Sequence, residues 1–528
     1  MQDAELLQIP QQVRFGQRHF VLSGVTPSAK PAYLALLQRV LKQPLLCVGS
    51  DNSNLEDLKS TTGFFHRVLS NRDDETLATF PALEPGPYSG LSPHAEILEE
   101  RALALWKLFQ GQLDMLFCPP AALLTRLPDV RPTFSSVPTL TVGLESPPDE
   151  LVQYLLKTGY VREEPVSSVG AFSMRGGILD VFPPNTENPV RIEFFGDEIE
   201  SLREFSVKSQ RSIGPVQKLI VPPMREIQLD ESQLRTWSET AERTLDLSEY
   251  ENFFKNQAMR AREGEAFAGH EFLLPLAIPF DKTLLDFAMD FCVVIDEPAE
   301  LQRWLGAWTR DTQQEFERQL AQGIPASSPE QMFLGISQLA EELQLRRVVF
   351  LDQLGTESGE SLLSAIPSSL PAVGKEELEL DGLDSLAANS LDRSDRPDSD
   401  SEPSFKPLTV SSAQGPHATH GPLFRIECLT RPVRKYHGNL KELVDDLEGL
   451  RQKASMVVFV QSSLGKAERL YDILKEYDVA CVADFGAEAR EATLFQQIEH
   501  HVPTIVVGSL AEGFEVDDRN LVLFGDGD

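Results

Sequence analysis

The sequence predicts a multidomain α/β protein, and three observations carry that expectation. Its 528 residues exceed what one hydrophobic core organises, which implies about 3–4 domains. Helical periodicity and short all-apolar runs alternate near both ends, the pattern of a largely parallel sheet covered by helices. Between them, closely spaced strand candidates separated by Gly and Pro turns mark a smaller antiparallel α+β module.

In chain order, residues 10–125 form the first block. Pro31 to Leu41 reads as an amphipathic helix, Pro44 to Val48 as a short buried strand, Glu96 to Phe109 as a helix, and Met115 to Cys118 as a strand stopped by Pro119-Pro120. In the second block, residues 126–216, a helix over Pro148 to Thr158 precedes strands at Ala171–Met174, Ile178–Phe182, Val190–Phe195 and Glu198–Phe205. Residues 217–352 return to helices plus one very apolar strand, Phe291 to Ile295. Residues 376–402 hold ten acidic and two basic side chains and no aromatic. Such a stretch buries too little surface to offset its ordering entropy, so 353–420 reads as an acidic disordered linker. A small α/β domain follows at 421–528, with strands at Met456–Val460, Val479–Val482 and Thr504–Val507 and helices at Leu464–Tyr477 and Ala487–His500.

The net charge of −33 argues against a nucleic-acid-binding bulk surface, because it repels phosphate backbones. Direct DNA binding by this acidic chain is therefore not expected. Five widely spaced cysteines, several in apolar runs, read as buried free thiols of a reducing compartment rather than disulfides or a zinc site. No apolar run approaches the ~20 residues that span a bilayer, and the N-terminus lacks a basic n-region. The expected location is the cytoplasm. His417 and His420 fall in the linker and carry no metal-site expectation, and His500-His501 suits a helix C-terminus. No nucleophile motif or acid/base dyad stands out.

Gly24-Val25-Thr26-Pro27-Ser28-Ala29-Lys30-Pro31 has the outline of a phosphate-binding loop with three faults. Ala29 stands where glycine lets backbone approach phosphate, Pro31 where a hydroxyl would hold Mg²⁺, and Pro27 deletes an amide donor. Downstream, Val293-Val294-Ile295-Asp296-Glu297 has the form of an apolar strand ending in the acidic pair of a Walker B site. Singly, each piece reads as a Gly turn before a helix or an acidic helix N-cap after a strand. Together, Gly24, Lys30, Asp296 and Glu297 suggest a degenerate nucleotide site, with no bound cofactor and no ATP binding expected.

In Val190–Phe195 the side chains alternate, with Val190, Ile192 and Phe194 on one face and Arg191, Glu193 and Phe195 on the other. A two-layer module has one core to serve. The second face therefore meets solvent or a partner, unless Phe195 packs under the 148–158 helix. Arg175, at the Gly176-Gly177 turn, can reach the same face. An arginine beside an aromatic is the chemistry of interface hot spots.

The run from Met174-Arg175-Gly176-Gly177 to Phe182-Pro183, then Val190 to Arg203 and Gln210-Arg211-Ser212, closely resembles a signature shared by UvrB and the transcription-repair coupling factors. The resemblance implies a UvrB-like ATPase domain split as 1a (10–125) and 1b (217–352), with a UvrA-binding domain 2 inserted at 126–216. It also implies that Arg175, Arg191 and Phe195 match the family's UvrA-contacting positions. Phe80-Pro81 through Glu99-Glu100-Arg101, and Arg431 to Asn439, resemble the coupling factor's first and third domains rather than UvrB. A full coupling factor adds an RNA-polymerase-binding domain and an ATP-dependent translocase. No intact phosphate-binding loop occurs in this sequence. The implied function is a non-catalytic scaffold recruiting UvrA in transcription-coupled excision repair. The alternative is the autoinhibitory half of a DNA translocase, with a separate motor and RNA-polymerase-binding half as partner.

Overall fold

The computed structural model describes residues 6–363 and 423–528, apart from 7, 50, 71, 73, 229–230, 245–250, 355–357 and 485–501. Apolar runs that bury both faces form its largest sheet. Seven strands, all parallel, lie in the order Phe424–Glu427, His19–Ser23, Val348–Asp352, Cys292–Asp296, Leu45–Val48, Met115–Cys118 and Leu77–Thr79. Strands from the first and third sequence blocks interleave in it. The sequence reading recognised one strand in the third block. Val348–Asp352 is a second, wholly buried and held between His19–Ser23 and Cys292–Asp296.

The helix Lys30–Leu41, expected to be amphipathic, is buried through its first nine residues. Its sequence is apolar nearly all round, and such a helix needs cover on every side. One side meets the parallel sheet. Leu34, Leu37, Val458, Val460, Phe514 and Leu523 share one apolar cluster, so the third sheet covers the other side.

That third sheet has the order Thr430–Pro432, Phe514–Val516, Leu521–Phe524, Met456–Gln461, Thr504–Val507 and Val482–Asp484. The expectation of a separate C-terminal domain is thus corrected. It shares a core with the first block, and the strand Phe424–Glu427 that leads into it extends the first block's sheet beside His19–Ser23. Within the expected linker, Ser358–Leu363 is a helix with Leu362 and Leu363 buried in the core. The rest of the acidic stretch, His417, His420 and the expected helix Ala487–His500 lie outside the described residues.

The middle module is the expected antiparallel one. Its strands run Ser212–Pro215, Glu198–Phe205, Val190–Phe195, Ile178–Val181, Ala171–Arg175 and Val161–Arg162, the last pair parallel. Leu151, Val152 and Leu155 of the helix Pro148–Lys157 join Leu179, Val190 and Ile192 in a separate core. A buried ion pair, Arg101 to Glu226 at 3.1 Å, ties the end of this module to the helix Ala95–Phe109. Arg101 also donates to the Pro81 carbonyl at 2.7 Å and lies 3.9 Å from the Phe80 ring centre.

Candidate functional site

Strand register assembles the outer face of the antiparallel sheet. Arg191 stands opposite Asp180 on one side and Arg203 on the other, while Ile178 stands opposite both Arg175 and Glu193. Phe195 is two residues further along the strand from Glu193, so it shares that face. Arg175, Arg191 and Phe195 are thus gathered on one surface. The helix Pro148–Lys157 covers the opposite face, with Val190, Ile192 and Phe194 buried beneath it. Phe195 is 79% exposed, which removes the alternative that it packs under that helix.

Local chemistry holds the arginines in place. Arg191 donates a fork to both Asp180 oxygens, each at 2.7 Å, and its guanidinium lies 4.9 Å from the Phe205 ring centre. The Asp180 hydrogen bonds raise the Arg191 pKa further above its ordinary value. A bidentate pair fixes the plane of the guanidinium as well as its position. Arg175 pairs with Glu164. Glu193 accepts from the Ser201 hydroxyl at 2.6 Å. At the adjoining turn a Cβ on Gly177 would sit 3.0 Å from the Phe194 carbonyl, so glycine permits the close approach beside Phe195. The sequence reading missed Asp180, Glu164 and Ile178. Ile178 and Asp180 alternate with Leu179 and Val181, so strand period two already placed them on the outer face.

The second candidate lies at the C-terminal ends of the parallel strands. The Lys30 ammonium sits 2.5 Å from Asp296 and 2.8 Å from Glu297, joining three of the four residues singled out there. Burial opposes the charged ammonium, yet the two carboxylates raise its pKa above the ordinary lysine value. Burial pushes the Asp296 carboxyl up, with Lys30 offsetting only part of that cost. Gly24, the fourth, has φ +78° and would place a Cβ 2.2 Å from the Cys428 carbonyl oxygen.

The loop's polar groups bond to the chain itself. The Thr26 amide donates to the Thr430 hydroxyl at 2.8 Å, and that hydroxyl lies 2.8 Å from the Gly24 carbonyl. Ser28 donates to the Gly513 carbonyl at 3.0 Å. Residues 428–430 and 513 therefore lie against this loop. Beside Asp296 and Glu297 opens a cavity of about 320 Å³, whose wall includes Gly49, Glu300 and Trp304.

Among the described residues no His, Cys, Asp and Glu side chains gather as a metal site. All five cysteines are free. No described helix is long and apolar enough to cross a membrane.

Residues 139–226 match the family model described as the UvrB interaction domain. Curated relatives are transcription-repair-coupling factors. That of Myxococcus xanthus is 32% identical over 302 residues, covering 55% of this chain and 25% of the relative. That of Bacillus subtilis is 23% identical over 513 residues, covering 95% of this chain and 37% of the relative. That of Mycobacterium tuberculosis is 33% identical over 278 residues, covering 50% and 21%. The chain thus spans well under half the length of these relatives. With an α/β body that carries a region matching the UvrB interaction domain, and a coupling factor aligning along nearly its whole length, the chain is similar to the transcription-repair coupling factors.

Proposed function

We propose that this chain recruits UvrA through the outer face of its antiparallel module, with Phe195 as the apolar anchor and Arg175 and Arg191 as polar flanks. One observation carries the reading. A large aromatic stands 79% exposed on the same sheet face as an arginine already oriented by a half-buried carboxylate. An exposed ring beside a pre-oriented cation costs little ordering entropy on binding. The interaction-domain match and the coupling-factor relatives support UvrA as partner and transcription-coupled excision repair as the setting.

In this reading Gly24, Lys30, Asp296 and Glu297 are the remains of a nucleotide site, and these residues do not turn over ATP. Three things support it. Lys30 is neutralised internally, Pro27 and Pro31 withhold amides, and the adjacent cavity carries carboxylates that repel a triphosphate. The chain then acts as a scaffold whose ATPase-like body holds the docking face.

The test compares UvrA binding by the native chain and by an Arg175→Ala/Arg191→Ala/Phe195→Ala variant, using calorimetry on purified proteins. Native binding lost in a variant that melts at the native temperature is the expected result. Equal binding by both, or none by either, removes the site assignment.

A further inference from the structure

The opposite, N-terminal end of the parallel sheet carries a second candidate surface. Three adjacent strands, His19–Ser23, Val348–Asp352 and Cys292–Asp296, are entered there by neighbouring loops. Each connection presents a large apolar side chain to solvent, Leu345 at the last residue of the helix Ile336–Leu345: Phe15 is 85% exposed, Leu345 70% and Met289 72%. Each lies three or four residues before its strand. In-register pairing of His19 and Val293 with Val348 brings the three loops side by side.

Their backbones are knit rather than loose. Arg18 donates to the Leu345 carbonyl at 3.1 Å, Arg346 to the Ala288 carbonyl at 3.5 Å, and Gln43 to the Asp290 carbonyl at 2.6 Å. Single exposed apolar residues are ordinary, but three on adjoining, mutually bonded loops form a patch.

The surrounding charge is cationic on a chain of net charge −33. Arg14, Arg18, Lys42, Arg346 and Arg347 flank the three loops. Glu342 neutralises Arg346 at 3.0 Å, and Asp290 is an exposed acid among them. Arg18 donates to a neutral carbonyl and Arg347 to the neutral Gln43 side chain, so their charges stay uncompensated by those contacts.

We propose that this end of the sheet docks an acidic, amphipathic segment of a partner protein, with apolar side chains on Phe15, Leu345 and Met289 and carboxylates on the flanking arginines and lysine. Charge complementarity selects that class of partner. A basic segment meets the −33 field of the remaining surface, and a purely acidic one leaves the apolar row uncovered.

The test uses the full chain and a short fluorescein-labelled peptide of glutamates and leucines at helical spacing, read by anisotropy at low and high salt. A control peptide carries serine for every leucine. The expected result is binding of the leucine peptide that weakens with salt, and roughly tenfold weaker binding of the control. It further includes a loss of roughly tenfold or more in a Leu345→Ser/Met289→Ser variant and in an Arg18→Glu/Lys42→Glu variant. All four positions are exposed, so unchanged melting temperatures are expected and exclude misfolding as the cause.

Equal binding of both peptides, or native affinity in both variants, overturns the proposal. So does tighter peptide binding after deletion of residues 376–402, since the chain's own acidic stretch would then be the occupant. A dimer seen in sedimentation that dissociates in the Leu345→Ser/Met289→Ser variant overturns it in favour of a second copy.

Discussion

Removing the Phe195 ring tests the docking face with little risk to the fold, because the ring is mostly exposed and belongs to no apolar cluster. Phe195→Ala is expected to leave the melting temperature unchanged and to weaken UvrA binding by about 2 kcal/mol, roughly thirtyfold. Arg101 has the opposite profile, being fully buried against Glu226. Arg101→Met strands a buried carboxylate, and a loss of about 3–5 kcal/mol in urea unfolding is expected. Replacing Glu226 by leucine as well should restore most of that loss, since a buried pair contributes little beyond what an apolar pair does.

Glu99 adds a pH dependence. Burial first, then Glu96 and Glu100, push its carboxyl up to about 7. The folded state then keeps a proton that the unfolded chain releases near its ordinary value of 4.5. Stability contributed here falls as pH rises from that value to about 7. Glu99→Gln should therefore melt higher than the native protein at pH 8, with the difference vanishing near pH 4.5. A constant difference across that range would assign the effect to packing alone.

At the level of elements, the strand Phe424–Glu427 and the segment 428–430 hold the C-terminal sheet to the first one. Backbone pairing with His19–Ser23, the Thr430 contacts and the shared apolar cluster all act without the acidic stretch. A protease site placed within 376–402 should give two fragments that co-elute in size exclusion after cleavage. Gly24→Ala should weaken that association, because the new Cβ meets the Cys428 carbonyl and φ is +78°. Fragments that separate immediately on cleavage of the native chain would count against the shared core. The strand pattern of the antiparallel module was largely legible in the sequence, since strict alternation fixes which side chains share a face. Val190–Phe195 and Glu198–Phe205 have the expected bounds. Val348–Asp352 and Phe424–Glu427 were not recognised. They are short strands that both pair with His19–Ser23, more than 300 residues away in sequence, and local periodicity carries no record of such a partner.

For the whole molecule, the α/β body is expected to ignore nucleotide. Millimolar Mg-ATP should not shift its melting temperature, as a ligand stabilises only the state that binds it. Lys30→Met should still lower that temperature, because Asp296 and Glu297 lose their shared counter-charge in a largely buried setting. A clear upward shift with Mg-ATP that Lys30→Met abolishes would restore the nucleotide site to service.

By itself the sequence determined the α/β class, the antiparallel module, and the alternation that sets Arg191 and Phe195 on one strand face, because these follow from local periodicity. The faults in the Gly24–Pro31 loop are likewise written in residue types, since proline has no amide proton wherever it folds. Only the tertiary structure decided which face of the module is covered by the helix Pro148–Lys157 and which is open. Only it decided that Asp180 and Glu164 hold the two arginines, that Lys30 meets Asp296 and Glu297, and that residues 428–430 press on the loop. Each of these joins groups distant in the chain or on separate strands, where register and packing, rather than spacing along the sequence, choose the partner.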